Sequence, residues 1–172
     1  EYNYKSKEGS LNYTIFFENK ATAGASALEV FITDTLDVTK FDLSTFSFHT
    51  IAFGDQAAKI QEHAKEFQLL LDLYPQKDIF LQVYGKIDTL TGIVNWSFHS
   101  IDRLTMELTE DPDMGFLPPN KISPEGEGHV TFSCKLKSTV IHDDEIANRA
   151  SIVFDLNKPI LTNTFKNRID TK

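Results

Sequence analysis

The sequence predicts an antiparallel β-sandwich, on three observations. Apolar residues recur at every second position in several short segments, clusters of turn-forming residues separate those segments, and only one stretch has the composition of a helix. Strict alternation puts Leu11, Tyr13, Ile15 and Phe17 on one face of "LNYTIFFEN", and Leu28, Val30 and Ile32 on one face of "ALEVFITDTL". The same period links Val94, Trp96 and Phe98, then Val130, Phe132, Cys134 and Leu136, then Ile146, Ala150, Ile152 and Phe154. "PILTNTFKNRI" is the last strand candidate, and "ATAGAS", "TLDVTKFD", "DTLTG" and the stretch from Asp102 to Gly128 supply the turns. Roughly eight to ten such strands, each with one buried face, make a core when two sheets stack.

Residues 55–74, "DQAAKIQEHAKEFQLLLDLY", are read two ways. Ile60, Ala64, Phe67, Leu71 and Tyr74 lie near one face of a helix, whereas Phe67, Leu69, Leu71 and Leu73 alternate as a strand with Gln68 and Asp72 facing out. A neighbouring strand overrides local helix propensity, so two strands joined at "EHAKE" are favoured over the helix.

A chain of 172 residues suits a single domain, 1–172, that buries roughly two-thirds of its unfolded surface. It starts at Glu1 without a leader and ends in strand-like sequence, which reads as a domain excised from a longer chain. Apolar residues at 41% and charged residues at 24% indicate a globular protein, and no apolar run approaches the roughly 20 residues of a membrane helix, so no membrane insertion is expected. A net charge of −8 repels phosphate backbones, so no nucleic-acid partner is expected either.

Few residues nominate chemistry. Cys134 alternates with Val130, Phe132 and Leu136 and reads as a small buried side chain; being the single cysteine, it has no internal partner. His49, His63, His99, His129 and His142 lack a second His or Cys at zinc-ligand spacing, and His99 and His129 take the outward phase of their strands. Nucleophile, zinc-protease and phosphate-loop motifs are missing. Glycoside hydrolysis needs only two carboxylates roughly 5–9.5 Å apart, yet the acids cluster in loops, where they ordinarily form solvated turns. The expectation is a protein that is not an enzyme.

The acidic, proline-containing loop "EDPDMGFLPPN" (110–120) lies in a stretch, 102–127, longer than the roughly 12–15 residues at which structureless loops become uncommon. Asp102, Glu107, Asp111, Asp113, Asn120, Glu125 and Glu127 are the hard oxygen donors that calcium takes six to eight at a time. One reading makes Asp102, Asp111 and Asp113 ligands of a calcium cofactor. The other is an Ω-loop stiffened by proline and packed by Met114, Phe116 and Leu117, with its acids in water.

"ASIVFDLNKPILTNTFKNRID" (150–170) resembles the closing strands of a repeat module of large bacterial secreted and cell-surface proteins, A-x-I-x-F-D-x-N-x-P-I-x-T-x-x-x-x-N-x-I-D. "YTIFFEN", "VFITDTLD", "FDLSTF", "IAFGD", "DTLTGIVNWSFHSID", "EDPDMGFLPPN" and "GEGHVTF" resemble the same module in the same order. The resemblance implies an extracellular immunoglobulin-like sandwich, secreted or on the cell surface, that acts as a non-catalytic structural or adhesion module. It also implies a hairpin over 55–74, where this chain has "QEHAKEF" in place of the relatives' short glycine turn. Its partners would be neighbouring domains of the same chain and a glycan or protein ligand. A carbohydrate-binding module is the alternative, with Tyr2, Tyr4, Tyr74 and Tyr84 as the platform; an accessory domain of a glycoside hydrolase comes after it.

Overall fold

Alternation becomes two stacked sheets. The computed structural model describes residues 3–171. One sheet has four strands in the order β2 (Ser10–Glu18), β9 (Glu127–Leu136), β4 (Phe41–Phe53), β5 (Gln56–Lys59). The other has six: β12 (Ile160–Leu161), β11 (Ala150–Phe154), β3 (Glu29–Thr35), β8 (Ile93–Asp102), β7 (Ile79–Ile87), β6 (Glu66–Asp72). A third, small sheet joins β1 (Tyr4–Ser6), β13 (Phe165–Asp170) and β10 (Glu145–Asn148). Every pairing is antiparallel except β1 with β13, which is parallel. This is the immunoglobulin-like all-β sandwich expected.

Aromatic rings bind the two large sheets. Trp96 of β8 meets Phe48 of β4 edge-on at 5.5 Å and Phe132 of β9 at 5.6 Å, while Phe17 of β2 packs on Phe98 of β8 at 5.5 Å. Val30, Ile32, Leu81, Val83, Phe46 and Val130 fill the space around them and are fully buried. Burial of roughly 150–250 Å2 per aromatic ring makes these contacts the dominant apolar term of the core.

Residues 55–74 are strands, but not a hairpin. β5 pairs with β4 in one sheet and β6 with β7 in the other, so 60–65 carry the chain across the core. Ile60 is buried on the way, its N–H donating to the His49 carbonyl at 2.7 Å. Phe67, Leu69 and Leu71 point inward as the alternation requires. The segment read as one strand over 146–154 is likewise two: β10 and β11 lie in different sheets and change over at Arg149. "PILTNTFKNRI" divides in the same way into β12 and β13. Phe154, expected between the sheets, is only half-buried against the core edge, whereas Trp96 is 1% exposed.

Candidate functional site

The acidic loop is a strap over one end of the sandwich. Between β8 and β9 it forms one 3-10 turn, Pro112–Met114, and two isolated bridges, Ala27 with Leu117 and Ile101 with Leu108. Phe116 and Leu117 are 3% and 0% exposed; the Phe116 ring stacks on Phe98 at 5.6 Å and meets Phe53 edge-on at 5.7 Å. The Phe116 N–H donates to Ser100 Oγ at 3.0 Å, and Asn19 Nδ2 donates to the Leu117 carbonyl at 2.9 Å. Asn120 Nδ2 donates to Glu18 and Glu127 at 2.8 and 2.9 Å, tying the strap to β2 and β9. Gly126 is required there, because a Cβ would stand 2.5 Å from the Asn120 nitrogen and from the Pro118 carbonyl oxygen.

Two of the three carboxylates named as calcium ligands, Asp102 and Asp111, accept local hydrogen bonds. Asp102 accepts from the N–H groups of Leu104 and Thr105 at 2.8 Å, and those bonds hold its carboxyl below the usual range. Asp111 caps the 3-10 turn by accepting from Asp113 N–H at 2.9 Å, and Asp113 is exposed. Among the described residues no group of three or more His, Cys, Asp or Glu is placed to hold a metal ion, so the three are not brought together.

Of the tyrosines named as a platform, Tyr2 lies outside the described residues. Tyr4 donates its hydroxyl to Asp143 at 2.8 Å, and Arg103 stacks over Tyr74. Tyr84 stands on β7, 36% exposed. His99 takes its outward place and pairs with Glu29 at 2.6 Å. His49 Nε2 lies 2.7 Å from Ser133 Oγ, a nucleophile-and-base spacing, across β4 and β9 on the side of the sheet away from Phe132 and Cys134, but Ser133 is only 6% exposed.

The residues that sequence reasoning missed flank the open side of the sandwich, where the edges β2 and β11–β12 face each other. A cleft of about 280 Å3 opens there, lined by Tyr13, Phe16, Asp34, Asn148, Arg149 and Phe165 among others. A larger hollow of about 480 Å3 adjoins it across Asn148 and Arg149. Asp34 is 1% exposed; Asn148 Nδ2 donates to its Oδ2 at 2.7 Å, while its Oδ1 is buried without a partner. Burial pushes the Asp34 carboxyl up to about 6 against the opposing pull of Asn148. The Tyr13 hydroxyl is also buried without a partner, and burial and the nearby Asp34 charge push it well above the ordinary phenol value. The sequence did carry a signal, since Asp34 continues the inward phase of Val30 and Ile32.

A family model described as "Domain of unknown function (DUF7619)" matches residues 1–72 and 88–168. The chain belongs to this family. The match leaves out 73–87, which is β7 and the turn before it, and spans both the strap and the cleft of this DUF7619 member. No curated protein matches the chain. Among solved structures, ACE19, the collagen-binding subdomain of the Enterococcus faecalis surface protein ACE, is 15% identical over 94% of this chain and 88% of its own, with a TM-score of 0.42. The collagen-binding domain from a Staphylococcus aureus adhesin is 10% identical over 93% and 87%, also with a TM-score of 0.42.

Proposed function

We propose that the chain is a non-catalytic structural and adhesion module of a bacterial surface or secreted protein, built to carry tension. The observation that carries this reading is the parallel pairing of β1 with β13, in the register Tyr4 to Arg168, Lys5 to Ile169 and Ser6 to Asp170. Pulling the N-terminal side of β1 against the C-terminal side of β13 loads parallel strands in shear, so their hydrogen bonds share the force and break together. An antiparallel pair pulled in this way would unzip one bond at a time. Lys7 N–H donates to Asp170 and Arg168 N–H to Asn3, at 3.1 and 3.0 Å, extending the clamp at both ends. Ile169, at 0% exposure, anchors β13 in the core.

The side chains of the closing motif support the same reading, because each holds structure. Asp155 Oδ1 accepts from Leu28 and Glu29 N–H at 2.9 Å, Asn157 Nδ2 donates to the Phe154 carbonyl, and Thr162 Oγ1 accepts from Ala150 N–H. Stretching tandem copies of the domain one molecule at a time tests the proposal. Wild type is expected to give a distinct unfolding event at each domain, and Lys7→Pro, which removes the Lys7 donor, lowers its force. Wild-type domains that extend without a resolved event, or a Lys7→Pro variant that resists as well as wild type, reject the proposed role in carrying tension. Surface display has its own readout: an antibody to the domain labels intact cells, and labelling only after permeabilisation rejects it.

A further inference from the structure

We infer that the open edge of β2 docks an extended peptide segment of a protein ligand, one that carries a carboxylate to meet Arg149. This deepens the adhesion half of the reading above, and rests on it, by naming the kind of ligand. β2 ends its sheet and pairs with β9 alone among the described strands. The Asn19 N–H donates to the Gly126 carbonyl at 2.9 Å, and the ladder that follows turns the backbone groups of Phe17, Ile15, Tyr13 and Leu11 toward β9. On the far side of β9, the Gly54 N–H donates to the Glu127 carbonyl, so odd residues of β9 face β4 and even ones face β2. By the same period Asn12, Thr14 and Phe16 direct their N–H and C=O groups off the open edge, where none has a hydrogen-bond partner among the described residues. All three residues are exposed. They present a row of donors and acceptors to which a further strand can pair.

Nothing along β2 blocks such pairing. Exposed edges are ordinarily protected by charge, proline or a bulge, yet residues 10–17 carry no charge and no proline, and the register with β9 runs unbroken from Ser10 to Glu18. Open space lies beside them: the consecutive residues from Asn12 to Phe16 line the cleft of about 280 Å3, and successive residues share one cleft only where it runs along a strand's edge rather than over a face. One added strand needs only the roughly 4.7–4.9 Å of a ladder spacing. A second copy of the domain would bring a whole sheet against the opposite wall, Asn148, Arg149 and Ala150, and is kept out. Side chains set the character of the ligand. Arg149 is exposed, has no ion pair or hydrogen-bond partner among the described residues and is the only Lys or Arg lining the cleft and the hollow beside it, so it selects a carboxylate. Phe16 and Phe165, 70% and 48% exposed, offer apolar surface to the side chains on either side of that carboxylate.

The test titrates the domain by NMR with synthetic peptides of alternating Val and Thr carrying Glu, Gln or Lys at the centre, about seven residues long so that they span Asn12 to Phe16 at roughly 3.4 Å per residue. The Glu peptide is expected to slow hydrogen exchange at the amides of Asn12, Thr14 and Phe16 and to leave those of Tyr13 and Ile15, already paired with β9, at their own rates. It should bind about threefold more tightly than the Gln peptide, the scale of one exposed ion pair, and the Lys peptide should bind more weakly than either. Arg149→Gln should remove the preference for Glu without changing the melting temperature, because the guanidinium has no partner in the described fold to lose. N-methylation of alternate peptide residues should weaken binding at least tenfold in the phase that faces β2 and spare it in the other, a control that leaves the protein untouched. The assignment falls if no peptide shifts the cleft resonances at millimolar concentration, if both methylated peptides bind as well as the parent, or if Arg149→Gln keeps the preference for Glu. It also falls if wild type elutes as a dimer with the same three amides protected in the absence of peptide, which gives the edge to a second copy. Single-molecule stretching and surface labelling read the structural role separately, so a failed peptide titration removes this ligand and leaves that role to its own test.

Discussion

Asp34 gives the sharpest single-residue consequence. In the unfolded chain its carboxyl titrates near 3.8, and in the fold burial raises it to about 6. The stability gained by protonating it is therefore fully present below 3.8 and is lost as the pH rises through 6, a swing of about 3 kcal/mol. Asp37 and Asp102 act in the opposite sense, since local hydrogen bonds lower their values and their contribution is lost as the pH falls. Subtracting the Asp34→Asn profile from the wild-type profile removes these shared terms. Urea denaturation between pH 4 and 7 should show the Asn variant gaining on wild type as the pH rises, and parallel profiles would contradict the burial argument. The core residues rank by their surroundings: Trp96→Ala should cost about 3–5 kcal/mol, and Phe154→Ala clearly less because its ring is half-exposed.

At the scale of elements, the strands with clean alternation were legible and the irregular ones were not. β2, β3, β8 and β9 bury the faces that period two assigns. β4 was hidden because two register shifts, between Asp42 and Ser47 and between Phe48 and Ile51, break its period. β7 was overlooked although Ile79, Leu81, Val83 and Ile87 alternate cleanly and are buried. Composition marked the loop over 110–120, but it could not tell a metal cage from a strap, since acids at turns serve either. The strap makes a definite prediction. Phe116→Ala should cost about 3–5 kcal/mol, whereas the exposed pair Asp111→Asn with Asp113→Asn should change stability by about 0.5 kcal/mol or less. Calcium binding by Asp102, Asp111 and Asp113 would instead raise the melting temperature over chelator by several degrees, and the double substitution would abolish the difference. If packing alone holds the strap, wild type melts at one temperature in calcium and in chelator.

Over the whole molecule, what period and turn chemistry could not reveal is which sheet each strand joins. The local pattern of "EIANRASIVFD" is one strand long, yet at Arg149 the chain leaves the small sheet for the large one. At 60–65 it leaves the four-stranded sheet for the six-stranded one. Such crossings depend on long-range pairing, which no short window contains. They also tie the three sheets energetically, because Ile146 and Ile169 of the small sheet are buried in the same cluster as Trp96, Phe132 and Leu81. With its core continuous, the chain should unfold as one cooperative unit. Trp96, the single tryptophan, reports on the centre of the core, while far-UV circular dichroism reports on all three sheets. The two signals should therefore trace one superimposable urea transition. A dichroism change that precedes the fluorescence change would mean that the β1–β13–β10 sheet opens first, and the parallel β1–β13 pair proposed as the clamp would then be the weakest part of the fold.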